Sequence, residues 1–265
     1  MLISSKDLPL RETFIQGIES FCVGEERAGN LVICGGIPEA LRQDYLNQSL
    51  PFPDRAISHI SISPDDWREE LLGACAEVAG EAVGAQSIGE TGVYYLWRAG
   101  LGFLPGFCRF GVENHFHFGL RRNEKNPDQT DNIYLPLSEI LLGDTLSRYI
   151  IADIMLATGG SVHTFIQLLM QMGVKVNQIT LACLIAAPEG VYNLLNEYPG
   201  LKIVTGELDN HLDGSGYIVP GLGDAGDKFF CGLSVDFFKP FKHLFNEYQW
   251  HLLHKKIEEA NQVEV

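Results

Sequence analysis

The sequence predicts an α/β protein built on a mostly parallel sheet flanked by helices. Three observations carry this. After Arg148, the runs "YIIADIML", "QITLACLIAAP" and "LKIVTGEL" are apolar enough for strands buried on both faces, and the helix-period segments "VHTFIQLLMQMG" and "EGVYNLLNEYPG" stand between them. Strands break into Gly-rich turns, where the ligands of such sheets lie. The chain has 265 residues, 46% of them apolar, which is enough to bury one sizeable core.

Taken in order, the first fifty or so residues hold one helix candidate, "LRETFIQGIESF", and a turn at "CGGIPEA". "SPDDWREELLGACAEVAGEAV" has a good helix start. Ser63 is placed to cap it, Pro64 falls in the first turn, and Asp65 and Asp66 meet the positive end. Trp67, Leu71, Cys75 and Val78 would share its buried stripe. "TGVYYLWRAGLGF" reads as a strand entering a Gly-rich turn, and "NHFHFGL" as a further strand. "RRNEKNPDQTD" reads as a polar, flexible loop. Beyond "DIMLATGGS", Val162, Phe165, Ile166, Leu169 and Met170 recur at helical spacing until Gly173. In the tail after Gly232, Phe241, Leu244, Phe245, Tyr248 and Leu252 follow helical spacing, while Lys242, Glu247 and Gln249 face elsewhere. That stripe is expected to pack on its own domain or on a subunit partner.

Composition excludes several classes of function. A formal charge of −15 repels nucleic acid and anionic membranes. No apolar run is long enough to span a bilayer, and "MLISSKDLPL" lacks the layout of a signal peptide, so a cytoplasmic location is expected. The six cysteines are widely spaced without a CxxC pair, as reduced thiols would be. His115 and His117 share one strand face, either as structural groups or as metal ligands that lack an evident third partner.

"DIMLATGGS" carries the chemistry. A strand-to-helix turn offers unsatisfied N–H groups to an anion, and Thr158 and Ser161 can add hydroxyls. The alternative is a turn needed only for chain reversal, with Ser161 capping the helix. Asp153, leaving a buried strand, needs a partner such as sugar hydroxyls or a metal. The absence of G-x-x-x-x-G-K-[ST] excludes an ordinary P-loop nucleotidase.

"DIMLATGGS" resembles the phosphoribosyl-diphosphate (PRPP) motif of the uracil phosphoribosyltransferase family. "WRAGLG", "IAAPEG" and "GYIVPGLGDAGD" resemble further family segments in the same order, and "GLRRNEK" does so more loosely. The likeness covers about residues 60 to 232. It implies a type I phosphoribosyltransferase fold with a small hood, over residues 59–232. Residues 1–58 would then form an N-terminal extension and 233–265 a helical tail.

The activity it implies is pyrimidine salvage, in which uracil and PRPP give UMP and diphosphate. Mg²⁺ would be bound mainly through the diphosphate. Arg98, Asp153 and Asp224 are the implied catalytic residues. PRPP would be held by Arg98, Arg122, Asp153, Ile154, Met155, Leu156, Ala157, Thr158, Gly159, Gly160, Ser161 and Asp224. Uracil would meet Ile218, Gly223, Asp224 and Ala225. A homo-oligomer, dimer or higher, is expected.

Taken singly, each of these features has a plainer reading. Arg98 could form a surface salt bridge, "RRNEK" could be a solvated segment, and the hood a tight loop with two exposed aspartates. The chain also departs from the family pattern. Ile154 replaces a proline, Arg121 replaces a tyrosine beside Arg122, and Trp97 has no proline before it. The span between Val78 and Arg98 is short for the family's β-hairpin arm. Two other functions compete: phosphoribosyl transfer to a different planar base, and non-catalytic sensing of PRPP or UMP.

Overall fold

Strands that must be buried on both faces set the architecture. The computed structural model describes residues 30–35, 37–38, 40–41, 63–84, 88–123, 126–135 and 146–262, with backbone alone over 121–132. Strand β1 (Leu31–Ile33) is followed by helix α1 (Pro64–Val83), β2 (Thr91–Trp97) and the short α2 (Leu104–Arg109). A hairpin of β3 (Asn114–Asn123) and β4 (Asn126–Leu135) comes next. The second half runs β5 (Arg148–Leu156), α3 (Gly160–Gln171), β6 (Ile179–Ala186), α4 (Pro188–Glu197) and β7 (Lys202–Leu208). Two short strands, β8 (His211–Leu212) and β9 (Ile218–Val219), then lead to α5 (Ala225–Phe230) and α6 (Glu247–Gln262).

Among the described residues the main sheet has seven strands in the order β1-β7-β6-β5-β2-β3-β4. All neighbours are parallel except β3 and β4. Ile150, Ala152 and Ile154 of β5 join the core with α1 and α2, whereas Tyr149, Ile151 and Leu156 join the core with α3 and α4. The expected parallel sheet with helices on its faces is the one the chain forms.

Helix α1 starts as its sequence dictates. The Ser63 hydroxyl accepts the Asp66 N–H at 3.1 Å, and Trp67, Leu71, Cys75 and Val78 are buried. Its other end is closed by Arg148, whose guanidinium donates to the carbonyls of Ala82 and Val83 at 2.9 Å each. Arg68 is buried too, and donates to the Phe229 and Cys231 carbonyls at the end of α5.

Three expectations need correction. The segment "RRNEKNPDQTD" is not simply a loop, because β3 continues to Asn123 and β4 begins at Asn126. A polar sequence can hold this place because β4 is an edge strand, and edge strands tolerate polar and charged residues. In α3, Met170 is exposed, while the other four residues of its stripe are buried. The tail is two helices rather than one. A 3₁₀ helix (Val235–Leu244) containing Pro240 ends at Phe245, and α6 starts at Glu247. In α6, Leu253, Ile257 and Ala260 are buried and Tyr248 is exposed. The expectation that the tail packs on its own domain holds, since Phe238, Phe245, Leu253 and Ile257 belong to the core with α1. The candidate helix "LRETFIQGIESF" lies outside the described residues. Between α1 and β2 the described residues hold only a short 3₁₀ turn, Ile88–Glu90.

His115 and His117 do share a face, and both are structural. Trp97 Nε1–H donates to His117 Nδ1 at 3.0 Å, which leaves His117 Nε2–H to donate to the Leu244 carbonyl at 3.1 Å. His115 donates from Nε2 to the Val112 carbonyl at 2.7 Å, and its Nδ1 pairs with the Tyr95 hydroxyl at 2.8 Å. With both nitrogens of each ring engaged, neither imidazole has a lone pair left for a metal. Burial pushes His117 down to about 3 and also lowers His115.

Helix α4 buttresses the turn after β5. The Ala187 N–H donates to the Leu156 carbonyl at 2.8 Å, and the Asn193 amide donates to the Thr158 carbonyl at 3.2 Å. The contact is close because residue 190 is glycine: a Cβ there would lie 2.1 Å from the Ala157 oxygen. Gly190→Ala is therefore expected to destabilise the protein by about 1–3 kcal/mol through overpacking, as read from denaturant unfolding midpoints.

A second expectation concerns pH. The unfolded chain takes a proton at His117 near 6.5 and the folded chain only near 3, so stability falls as pH drops through that window and is fully present above it. Melting temperatures at pH 7.5 and 5.0 should differ less in His117→Gln than in the parent protein.

Candidate active site

Strands β2 and β5 lie side by side and parallel, so their carboxyl ends open on the same place. The residues there surround a cavity of about 740 Å³, within the range that small-molecule sites occupy. Of the residues singled out from sequence, Arg98, Asp153, Met155, Ala157, Ser161, Ile218, Gly223 and Asp224 line it. Ile154 and Leu156 instead send their side chains into the two cores, and Ala225 is fully buried at the start of α5. A ligand could meet those three only through their backbone. Thr158, Gly159 and Gly160 form the turn into α3. Arg122 sits in β3 opposite Thr130, and Arg121 opposite Asn132. Both arginine side chains lie outside the described ones.

The turn after β5 is shaped for an anion. Gly159, at φ 88°, is the residue before α3, and the His163 N–H donates to its carbonyl at 2.8 Å. Gly160 and Ser161 thus occupy the first helical positions, whose N–H groups have no partner within the helix. Ser161 does not cap the helix; it lies inside it and lines the cavity. The plainer reading of Ser161 as a cap is overturned, and its hydroxyl adds to a helix N-terminus that faces the cavity.

On the β2 side, the Trp97–Arg98 peptide is cis, and Arg98 forms a salt bridge with Asp227. Asp227 is a partner of Arg98 that the sequence reading left without a role. The signal was the spacing: Asp224 and Asp227 stand one helical turn apart at the start of α5. Asp224 caps that helix by accepting the Asp227 N–H at 2.9 Å, and it also lines the cavity. One short helix thus delivers one carboxylate to the cavity and the other to Arg98.

The strands β8 and β9 make a small hood braced by side chains. Asp213 Oδ1 accepts the N–H groups of Ser215 and Tyr217 at 2.8 and 3.0 Å. Buried Asp209 accepts the Gly221 N–H at 2.7 Å, just after the cis Val219–Pro220 bond. Lys228 is fully buried beneath the hood, 5.8 Å from the Trp67 ring centroid. A Cβ at Gly223 would come within 3.2 Å of Lys228 Nζ, so that lysine supports the loop from behind.

One wall had no counterpart in the sequence reading. Tyr248, Leu252, Lys256 and Glu259 of α6 all line the cavity. They form one helical row beside the buried row of Leu253, Ile257 and Ala260. Lys256 pairs with Glu259 at 2.6 Å, and its hydrogen bond holds the Glu259 carboxyl below the usual range, with Lys255 and Arg98 adding to the effect. Among the described residues the cavity wall therefore presents two cations, Arg98 and Lys256, against the carboxylates Asp153, Asp224 and Glu259.

Comparison with known proteins places this arrangement. Curated relatives include the uracil phosphoribosyltransferase of Salinibacter ruber, 39% identical over 151 residues that make up 57% of this chain and 69% of that protein. Those of Exiguobacterium sibiricum and Clostridium tetani are each 42% identical, over 53% of this chain and 65% of theirs. The chain thus spans about two thirds of the length of the relatives it matches. A solved protein structure from Aquifex aeolicus shares the fold with a TM-score of 0.57 at 23% identity, covering 75% of this chain and 97% of that one. The family model for uracil phosphoribosyltransferase matches residues 76–232, from within α1 to just past α5 and more than half of the sequence, and the chain belongs to that family.

Proposed function

We propose that the protein transfers the 5-phosphoribosyl group of PRPP to uracil, giving UMP and diphosphate, as an enzyme of pyrimidine salvage. The observation that carries this reading is the convergence of four parts on one cavity: the anion-binding turn after β5, Arg98 after β2, Asp153, and the hood with Asp224. In the reaction the bond from the anomeric carbon to diphosphate breaks, and a bond from that carbon to uracil N1 forms as N1 loses its proton. Positive charge builds on the ribose ring and negative charge on the leaving group.

The residues divide that work. The helix N-terminus at Gly160 and Ser161 receives the 5′-phosphate. Asp153 accepts from the ribose hydroxyls. Arg98, already oriented by Asp227, donates to the leaving diphosphate. The hood reads uracil's acceptor–donor–acceptor edge with backbone groups around Ile218, Gly223 and Asp224, held rigid by the Asp209–Gly221 bond. Cytosine would set its amino group against a backbone N–H there, a mismatch that discriminates strongly. Catalysis is then positioning and electrostatic stabilisation, without a nucleophilic side chain.

The donor set fits Mg²⁺. Asp153 and Asp224 are hard oxygen donors on the cavity wall. That suits an ion held mainly by the diphosphate with one or two carboxylates. When bound, it neutralises charge on the leaving group. The transferase unit is taken as 59–232, with 1–58 as an N-terminal extension and 233–265 as a tail; from these flanks β1 joins the main sheet and α6 the cavity wall. Among the described residues no helix is long and apolar enough to cross a membrane.

Incubation with PRPP, Mg²⁺ and labelled uracil should yield UMP. Turnover on another base alone, or tight UMP binding without turnover, would overturn the assignment. Asp224→Asn tests the electrostatics cleanly, because asparagine also caps helices and so keeps α5 in place. It should lower kcat by about 10²-fold with an unchanged melting temperature.

A further inference from the structure

We propose that Lys256, on the C-terminal helix outside the family match, is a binding residue for the diphosphate of PRPP, and that Glu259 holds it in place until that ligand arrives. This rests on the function proposed above. Three observations support it. Lys256 lines the same cavity as Arg98 and Asp153, and its side chain is only 22% exposed although lysines usually reach for water. It lies 6.0 Å from the centroid of the Tyr134 ring, and the neighbouring Tyr248 hydroxyl donates to the Tyr134 carbonyl at 3.4 Å. These contacts place the polar row of α6 at the β4 side of the cavity.

The sheet order decides which part of PRPP would be met there. From β5 the strands run to β2, then β3, then β4. The 5′-phosphate turn follows β5 and Arg98 follows β2, so Lys256 stands on the Arg98 side, away from the 5′-phosphate. Glu259 pairs with Lys256 on the same cavity wall that Arg98 lines, and Arg98 is near enough to lower its carboxyl slightly further.

Charge supplies the reason. Arg98 is shared with Asp227, so a multiply charged diphosphate reaching this end meets one cation already paired. Lys256 is the other cation of the wall among the described residues. Its partner Glu259 is a single carboxylate one turn away on a half-exposed helix face, a pairing that contributes little in water. A diphosphate can displace it, and the ammonium need only swing from one oxygen anion to another.

The test is calorimetric titration of the full chain with PRPP and Mg²⁺, together with steady-state kinetics. Lys256→Ala should weaken PRPP binding and raise its KM by about tenfold, with the KM for uracil and the melting temperature unchanged. Lys256→Arg should restore most of the loss, and Glu259→Gln should bind PRPP more tightly than the parent. Equal PRPP affinity in the parent and in Lys256→Ala would overturn the role of Lys256. A parent protein that binds no PRPP would instead overturn the function on which the proposal rests. A rise in both KM values together would also count against it, since that marks a merely structural effect on the cavity wall.

Discussion

Two close backbone contacts fix the turns that carry Arg98 and lead into α3. The turn after β2 lies on the Ala152 carbonyl at Gly100, and the first turn of α4 lies on the Ala157 carbonyl at Gly190. A Cβ would come within 2.3 and 2.1 Å of those oxygens, distances that no side chain tolerates. The carboxyl end of β5 is thus gripped from both sides. With that end fixed, the offset between Arg98 and the turn into α3 is fixed as well, because each begins one or two residues from a contact. Packing this tight is transmitted rather than absorbed, so a small displacement at either glycine would reach the cavity.

The electrostatics follow from the same economy of space. A protein with a net charge of −15 has few cations to spare, and the cavity wall described here does not gather them in bulk. It places two, each tied to a carboxylate: Arg98 to Asp227 and Lys256 to Glu259. Tethering has a cost in attraction and a gain in order, since a preoriented guanidinium loses less freedom when it meets its ligand. Because Asp224 and Asp227 share α5, the pair with Arg98 also couples the hood to the β2 turn. A base held by the hood and a diphosphate held by Arg98 would then be registered against each other through one helical turn.

The parallel half of the fold was legible because strands buried on both faces leave unbroken apolar runs, and β5, β6 and β7 do so. Helix α1 was legible from Ser63 and the two aspartates behind Pro64. The β3–β4 hairpin was not, since an edge strand exposed to water needs no apolar pattern and its pairing is carried by backbone alone. Strand β1, only three residues long, leaves no periodicity to detect. In the tail, a 3.6-residue period was read across a 3₁₀ helix whose own period is three, so residues of two helices were merged into one stripe. The histidine pair was placed correctly on one face, but its role is set by the Leu244 carbonyl, which is 127 residues distant from His117. The segments carrying Ser161, Arg98, Asp153 and Asp224 were each visible as motifs, and the structure brings those residues to one cavity. Asp227 and Lys256 were not, because what gives them meaning is a partner contributed by another segment or by tertiary packing.

The tail shows why the limits of a family and the limits of a site need not coincide. The match ends at residue 232, yet α6 closes one side of the cavity. It can do so because two rows on one helix are rigidly related. Leu253, Ile257 and Ala260 anchor the helix in the core, and the neighbouring row of Tyr248, Leu252, Lys256 and Glu259 has no freedom to face elsewhere. The start of α6 is capped by Asn246, whose side-chain oxygen accepts the Gln249 N–H at 2.8 Å, and the bond from His117, on the strand that pairs with β2, holds the Leu244 carbonyl just before it. A chain of hydrogen bonds leads from Trp97, beside Arg98, through His117 to Leu244, at the end of the 3₁₀ helix that precedes α6. Burial at one end of that chain and charge at the other act on the same cavity.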